Sequence, residues 1–178
     1  MLYAFGFERV GVVVSDLYFV DPHPSKGQEG PERGVRLEVR HLQRGELKGS
    51  IYSAQPISVE EPIWRVDLLE SVAGPPGSFD RTHHHPKFAG WEPSRRCYVE
   101  DLSADPLGWL ASQLADLDGV LNEAGVDGAA ADGDGARLQE AVPEILAAVQ
   151  RLLDKVRAAD RGGLPPADET VGARVGWL

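Results

Sequence analysis

The chain has 178 residues, with 18 Lys+Arg against 28 Asp+Glu and a formal net charge of −10. A chain of this length is most simply one domain, and it can bury enough surface to fold without a disulfide or a metal. Its single cysteine, Cys97, excludes an internal disulfide and fits a reducing compartment, and its acidity argues against general binding to a phosphate backbone, which draws on Lys and Arg.

The charge is uneven. Residues 1–100 carry 12 basic and 14 acidic side chains, a net of −2, whereas residues 101–178 carry 6 and 14, a net of −8. The N-terminal part therefore has room for a local basic site. Met1 to Arg9 lacks a basic region followed by a long apolar run, so no signal peptide is expected. No run approaches the roughly 18 apolar residues of a membrane span. A cytoplasmic protein without membrane contact is the expectation.

The first 100 residues read as strands and turns. Val10–Val14 and Leu17–Val20 are rich in β-branched and aromatic residues, with Ser15-Asp16 as a turn between them. Asp21 to Pro31 holds three prolines and two internal glycines and reads as a loop. Val35–Leu42 alternates apolar and polar residues, as a strand with one buried face does. Arg44-Gly45-Glu46 reads as a turn; Leu47–Ala54, Ile57–Val59 and Ile63–Glu70 continue the strand pattern; Gly74-Pro75-Pro76-Gly77 breaks it. Arg95 to Val99 alternates again around Cys97, whose bland role is a small, half-buried side chain.

The pattern changes after Leu102. Asp105 as N-cap and Pro106 at the first helical position start a helix carrying Leu107, Leu110, Leu114 and Leu117. Asp127 to Gly135 reads as a linker, since Asp132 and Asp134 match only a fragment of a calcium loop. Leu138, Val142, Ile145, Leu146, Val149, Leu152, Leu153 and Val156 then recur at spacings of three and four, the stripe of an amphipathic helix that Pro143 kinks or begins. These signals predict an α+β fold, an antiparallel sheet from residues of about 1–100 packed on two main C-terminal helices. A single domain is expected over 1–160, with a first helical region at 105–124, a long amphipathic helix at 137–159 and a flexible tail at 161–178.

Three of the five histidines stand together in Asp80-Arg81-Thr82-His83-His84-His85-Pro86. In an extended segment alternate side chains share a face. His83 and His85 then share one with Arg81, while His84 takes the other. Three uses fit these residue types. His83 and His85 can be the base and acid of phosphoryl transfer, with Arg81 and Arg96 holding the anion. They can ligate a divalent metal, with His23 or Glu92 as third ligand. They can also simply hydrogen-bond within a tight turn beneath Trp91. The His-x-His spacing is similar to the metal strand of the cupin family, but Ala89 and Gly90 stand where that family has a glutamate.

An antiparallel sheet, a late strand bearing His83-His84-His85, then Glu92-Pro93, Arg96 and a helix from Pro106 resembles the TumE-type family of small bacterial toxins over Asp16 to Leu117. That resemblance implies RNA as substrate and a ribonuclease-like or phosphodiesterase-like hydrolase; the acidic C-terminal part and the second long helix depart from it. The alternative to an enzyme is an accessory subunit or homodimer that uses the stripe Leu138–Val156.

Overall fold

Alternating valines organise the sheet. The computed structural model describes residues 1–21, 23–24, 26, 29–47, 49, 54–71, 74–131 and 133–161, the last three in backbone only. Five antiparallel strands run in chain order across one sheet: β1 (Leu2–Gly6), β2 (Val10–Phe19), β3 (Glu32–Arg44), β4 (Ile57–Leu69) and β5 (His83–His85). Val12 pairs with Val39 and Val14 with Leu37 across β2 and β3; Leu37 and Val39 pair onward with Val66 and Trp64 of β4. All six are essentially inaccessible and form one apolar face. The residues between them, Arg36, Glu38, Arg65 and Asp67, share the other face because side chains alternate along a strand.

Helices cover the apolar face. They are α1 (Glu100–Ala104), α2 (Pro106–Ala115), α3 (Leu117–Ala124) and α4 (Asp134–Arg161), with a 3₁₀ turn at Gly128–Ala131. Asp105 caps α2 by accepting from the Gly108 N–H, and Asp116 caps α3 through Gly119. α4 packs on β2, β3 and α2. Leu138, Ile145, Val149 and Leu152 are buried in the core that this creates. The fold is therefore α+β, as the sequence predicts. The apolar stripe of α4 thus packs inside the chain, where it covers the sheet's valine face.

Several local expectations are corrected. Ser15-Asp16 is not a turn: β2 is continuous, with Ser15 paired to both Leu2 and Arg36. Ile57–Val59 and Ile63–Glu70 are one strand, running through Pro62 where the register against Arg40 shifts. A bulge tolerates the missing proline N–H. β1 went unread, since Leu2–Gly6 is too short to show a period. Pro143 lies inside α4 rather than at its start.

The helix begins at Asp134, whose buried carboxylate accepts from the N–H groups of Glu8, Arg9 and Val10 at 2.7–2.9 Å. That aspartate ties the β1–β2 turn to α4, which accounts for its acidity without calcium. Asp132, most of Leu47–Ala54 and the tail 162–178 lie outside the described residues. Among the described residues no helix is long and apolar enough to cross a membrane.

Candidate functional site

The histidine triplet is a sheet strand. Asp67 pairs with His83, Val66 with His84 and Arg65 with His85. On the other side of β5, His84 exchanges both backbone hydrogen bonds with Cys97, at 2.9 and 3.0 Å. Thr82 fixes the entry: it is fully buried, and its hydroxyl donates to the Leu69 carbonyl while accepting from the Leu69 N–H.

The triplet splits by face, as alternation requires. His84 joins the helix side, with its ring 6.1 Å from Trp64 and 5.3 Å from Trp109. His83 and His85 stand on the charged side, edge to face with centroids 5.1 Å apart. The Nδ1 of His83 is 2.8 Å from the Arg81 carbonyl and that of His85 is 2.7 Å from the Ser94 carbonyl. A carbonyl only accepts, so each Nδ1 carries the proton and each neutral ring leaves Nε2 as a bare lone pair.

Both lone pairs turn towards one carboxylate. Oδ2 of Asp67 lies 3.6 Å from Nε2 of His83 and 3.9 Å from Nε2 of His85, beyond hydrogen-bond reach. All three residues are buried, and their ligand atoms lie within 4.8 Å of one another. Arg36 grips the carboxylate from behind, Nε to Oδ1 at 2.7 Å and Nη2 to Oδ2 at 3.1 Å.

Burial drives the His83 imidazole below its ordinary pKa of 6.5; the Arg81 carbonyl and Asp67 work against this, and His85 and Arg96 add to it. For His85 the chief cause is again burial, opposed by the Ser94 carbonyl and Asp67 and reinforced by Arg65 and Arg36. Burial therefore favours the neutral form of both rings.

The site opens onto a cleft of ≈ 350 Å³ between the charged sheet face and the segment after β7 (Glu92–Pro93), the partner of β6 (Phe88–Ala89). Leu17, Phe19 and Pro93 supply apolar wall; Arg36, Arg65, Arg95 and Arg96 supply charge.

Of the other expected residues, Arg96 lines the cleft, whereas Arg81, His23 and Glu92 lie elsewhere. Arg81 points its guanidinium at the buried Glu32, 2.9 Å away, and contributes only its carbonyl to His83. His23 is exposed in a loop, and Glu92 is exposed on β7; neither lines the cleft. Trp91 is 58% exposed with Arg40 over its ring, and the tryptophans that pack on the triplet are Trp64 and Trp109, both against His84. Asp67 is the residue that sequence reasoning missed. Its signal was a carboxylate on a strand between leucine-rich positions, which reads equally well as the wet face of a sheet. Searched against protein-family models, curated proteins and solved structures, the chain has no match.

Proposed function

We propose that Asp67, His83 and His85 hold a divalent transition-metal ion, and that the cleft above it carries out metal-assisted hydrolysis of phosphate esters. One observation supports this above the rest: two bare Nε2 atoms converge on Asp67 Oδ2, whose hydrogen bond comes from Arg36. Two bare Nε2 atoms and a carboxylate oxygen repel one another unless a cation joins them. The fixed Nδ1–H groups and the Arg36 fork are the outer partners that orient metal ligands in general. A tetrahedral ion at about 2.0–2.1 Å holds its donors about 3.4 Å apart; the two distances to Asp67, 3.6 and 3.9 Å, are near that value, and all three ligand atoms lie within 4.8 Å of one another.

Two imidazoles and one carboxylate suit Zn²⁺, Fe²⁺ or Co²⁺ better than Ca²⁺ or Mg²⁺. Three protein ligands leave a coordination position open, as in hydrolytic sites. The bound ion would act as a Lewis acid toward a phosphoryl oxygen. RNA remains one candidate among such esters.

Metal-free acid–base cleavage by the same two histidines competes with this. It needs one of them charged at Nε2 near neutral pH, and burial opposes that for both.

The test is a titration of the untagged, metal-stripped protein with Zn²⁺ and Co²⁺ by calorimetry, beside elemental analysis of the protein as purified. One equivalent bound at micromolar concentration or below, and lost in His83→Ala, His85→Ala and Asp67→Asn, is expected. Absence of a stoichiometric site in the folded wild type overturns the proposal, and phosphodiesterase activity that persists in chelator then favours the metal-free alternative.

A further inference from the structure

We infer that Arg95 and Arg96 form an anion clamp at the open side of the Asp67–His83–His85 site, and that its ligand is a phosphate ester whose organic group lies on Leu17, Phe19 and Pro93. The inference rests on the proposed metal site for the face that the phosphate meets.

Charge carries it first. The protein has a net charge of −10, yet four arginines and a single carboxylate line this cleft. Such local reversal inside an acidic molecule focuses a field that draws anions in.

The four arginines are not alike. Arg36 is held by Asp67, and Arg65 by Glu38 at 2.9 Å. Their forks are built into the sheet. Among the described residues neither Arg95 nor Arg96 forms a salt bridge with a carboxylate. Arg96 lies with its guanidinium carbon 6.0 Å from the centre of the Phe19 ring, over the cleft wall. Both follow directly on Ser94, whose carbonyl sets the His85 ring, so the clamp and a metal ligand share one short stretch of backbone. A planar guanidinium presents paired donors that match phosphate oxygens.

A dianion is favoured over a carboxylate. The cleft already has an excess of positive charge, and a divalent ion would add to it. A phosphate monoester neutralises more of that charge with more acceptor oxygens. The opposite wall is apolar: Leu17 and Phe19 are half-buried side chains with Pro93 beside them. An ester with an apolar or ring-bearing group fills it better than inorganic phosphate does.

The experiment titrates phenyl phosphate, inorganic phosphate and benzoate into the full-length protein, with and without one equivalent of Zn²⁺. Wild type, Arg95→Ala, Arg96→Ala and the double variant are compared. Phenyl phosphate should bind tightest of the three. Each single substitution should weaken it by about tenfold, with Zn²⁺ affinity nearly unchanged. Unaltered phenyl phosphate affinity in the double variant, benzoate binding as tightly, or no binding to wild type overturns the clamp. Zn²⁺ titration on the same samples reads the metal site separately, so the two ideas fail by different signals.

Discussion

Arg36 reaches across from β3 and holds Asp67 of β4 in a two-toothed grip, at 2.7 and 3.1 Å. The pair is directly opposed in the register, and the carboxylate is only 4% exposed. Removing the arginine would leave a buried charge facing two lone pairs. Arg36→Met should therefore destabilise the metal-free protein by about 2–4 kcal/mol in urea unfolding. A divalent ion can take over the role of counter-charge, so saturating Zn²⁺ should recover a larger share of stability in the variant than it adds to wild type. By linkage, Zn²⁺ should then bind the variant more tightly than it binds wild type. Equal gains from Zn²⁺ in both proteins would show that Asp67 is no ligand.

His84 gives a control inside the same triplet. It faces Trp64 and Trp109, and its buried Nδ1 has no hydrogen-bond partner among the described residues. A buried, unpaired polar atom costs about 1–3 kcal/mol, and an apolar side chain of similar shape avoids that. His84→Phe should keep or raise the unfolding midpoint and leave the Zn²⁺ titration intact. His83→Phe, one position earlier, should abolish the titration. Loss of Zn²⁺ binding in a folded His84→Phe protein would place the ligands on the wrong face.

Asp16 ties the end of the molecule together. Its carboxylate accepts from the N-terminal ammonium and, at 2.7 Å, from Lys155 of α4. The Lys155 hydrogen bond leads the causes that hold its pKa below the ordinary 3.8. A carboxylate whose pKa is lowered on folding adds stability above its unfolded pKa and loses it as pH falls through the folded value. The stability gap between wild type and Asp16→Asn should therefore be constant from neutral pH to about pH 5 and close progressively below about pH 4. Added salt should narrow it at every pH, because the group is partly exposed. A gap that widens in acid would contradict this account.

What could be read ahead of the structure was what is local. Alternation in Val35–Leu42 marked a strand buried on one face, and alternation in His83–His85 placed two imidazoles together and sent His84 away. Asp105-Pro106 announced a helix. The rest depended on register between distant strands. Asp67 meets His83 only because β4 and β5 pair in that frame, and no spacing between the two residues in the chain encodes it. The same holds for Ser94, whose carbonyl orients His85 from nine residues on. Arg81 leaves the face of His83 and His85 because it sits in the turn before β5, where its guanidinium pairs with Glu32 of β3. Asp134 misled in another way, since a glycine-rich acidic stretch has the composition of a linker whatever its carboxylate touches.

That carboxylate supports the last prediction. Asp134 is fully buried at the start of α4 and accepts three backbone N–H groups, from Glu8, Arg9 and Val10, across more than 120 residues of chain. Glu8 and Arg9 lie in the β1–β2 turn, where the chain reverses, and Val10 opens β2. Asp134→Ala would strand three donors at once and detach the helix start from the sheet. Hydrogen bonds to a charged acceptor contribute about 1.5–3 kcal/mol each, and nearby ones do not add fully. A loss of about 3–5 kcal/mol in urea unfolding is expected, with faster amide exchange at Glu8, Arg9 and Val10 than elsewhere in the sheet. Asp134→Asn retains one acceptor oxygen and should fall between the two. Zn²⁺ affinity should be unchanged in any variant that remains folded, because no contact of Asp134 reaches the cleft. Calcium-dependent stabilisation of the wild type that Asp134→Ala removes would overturn the structural role and restore a cation at that aspartate.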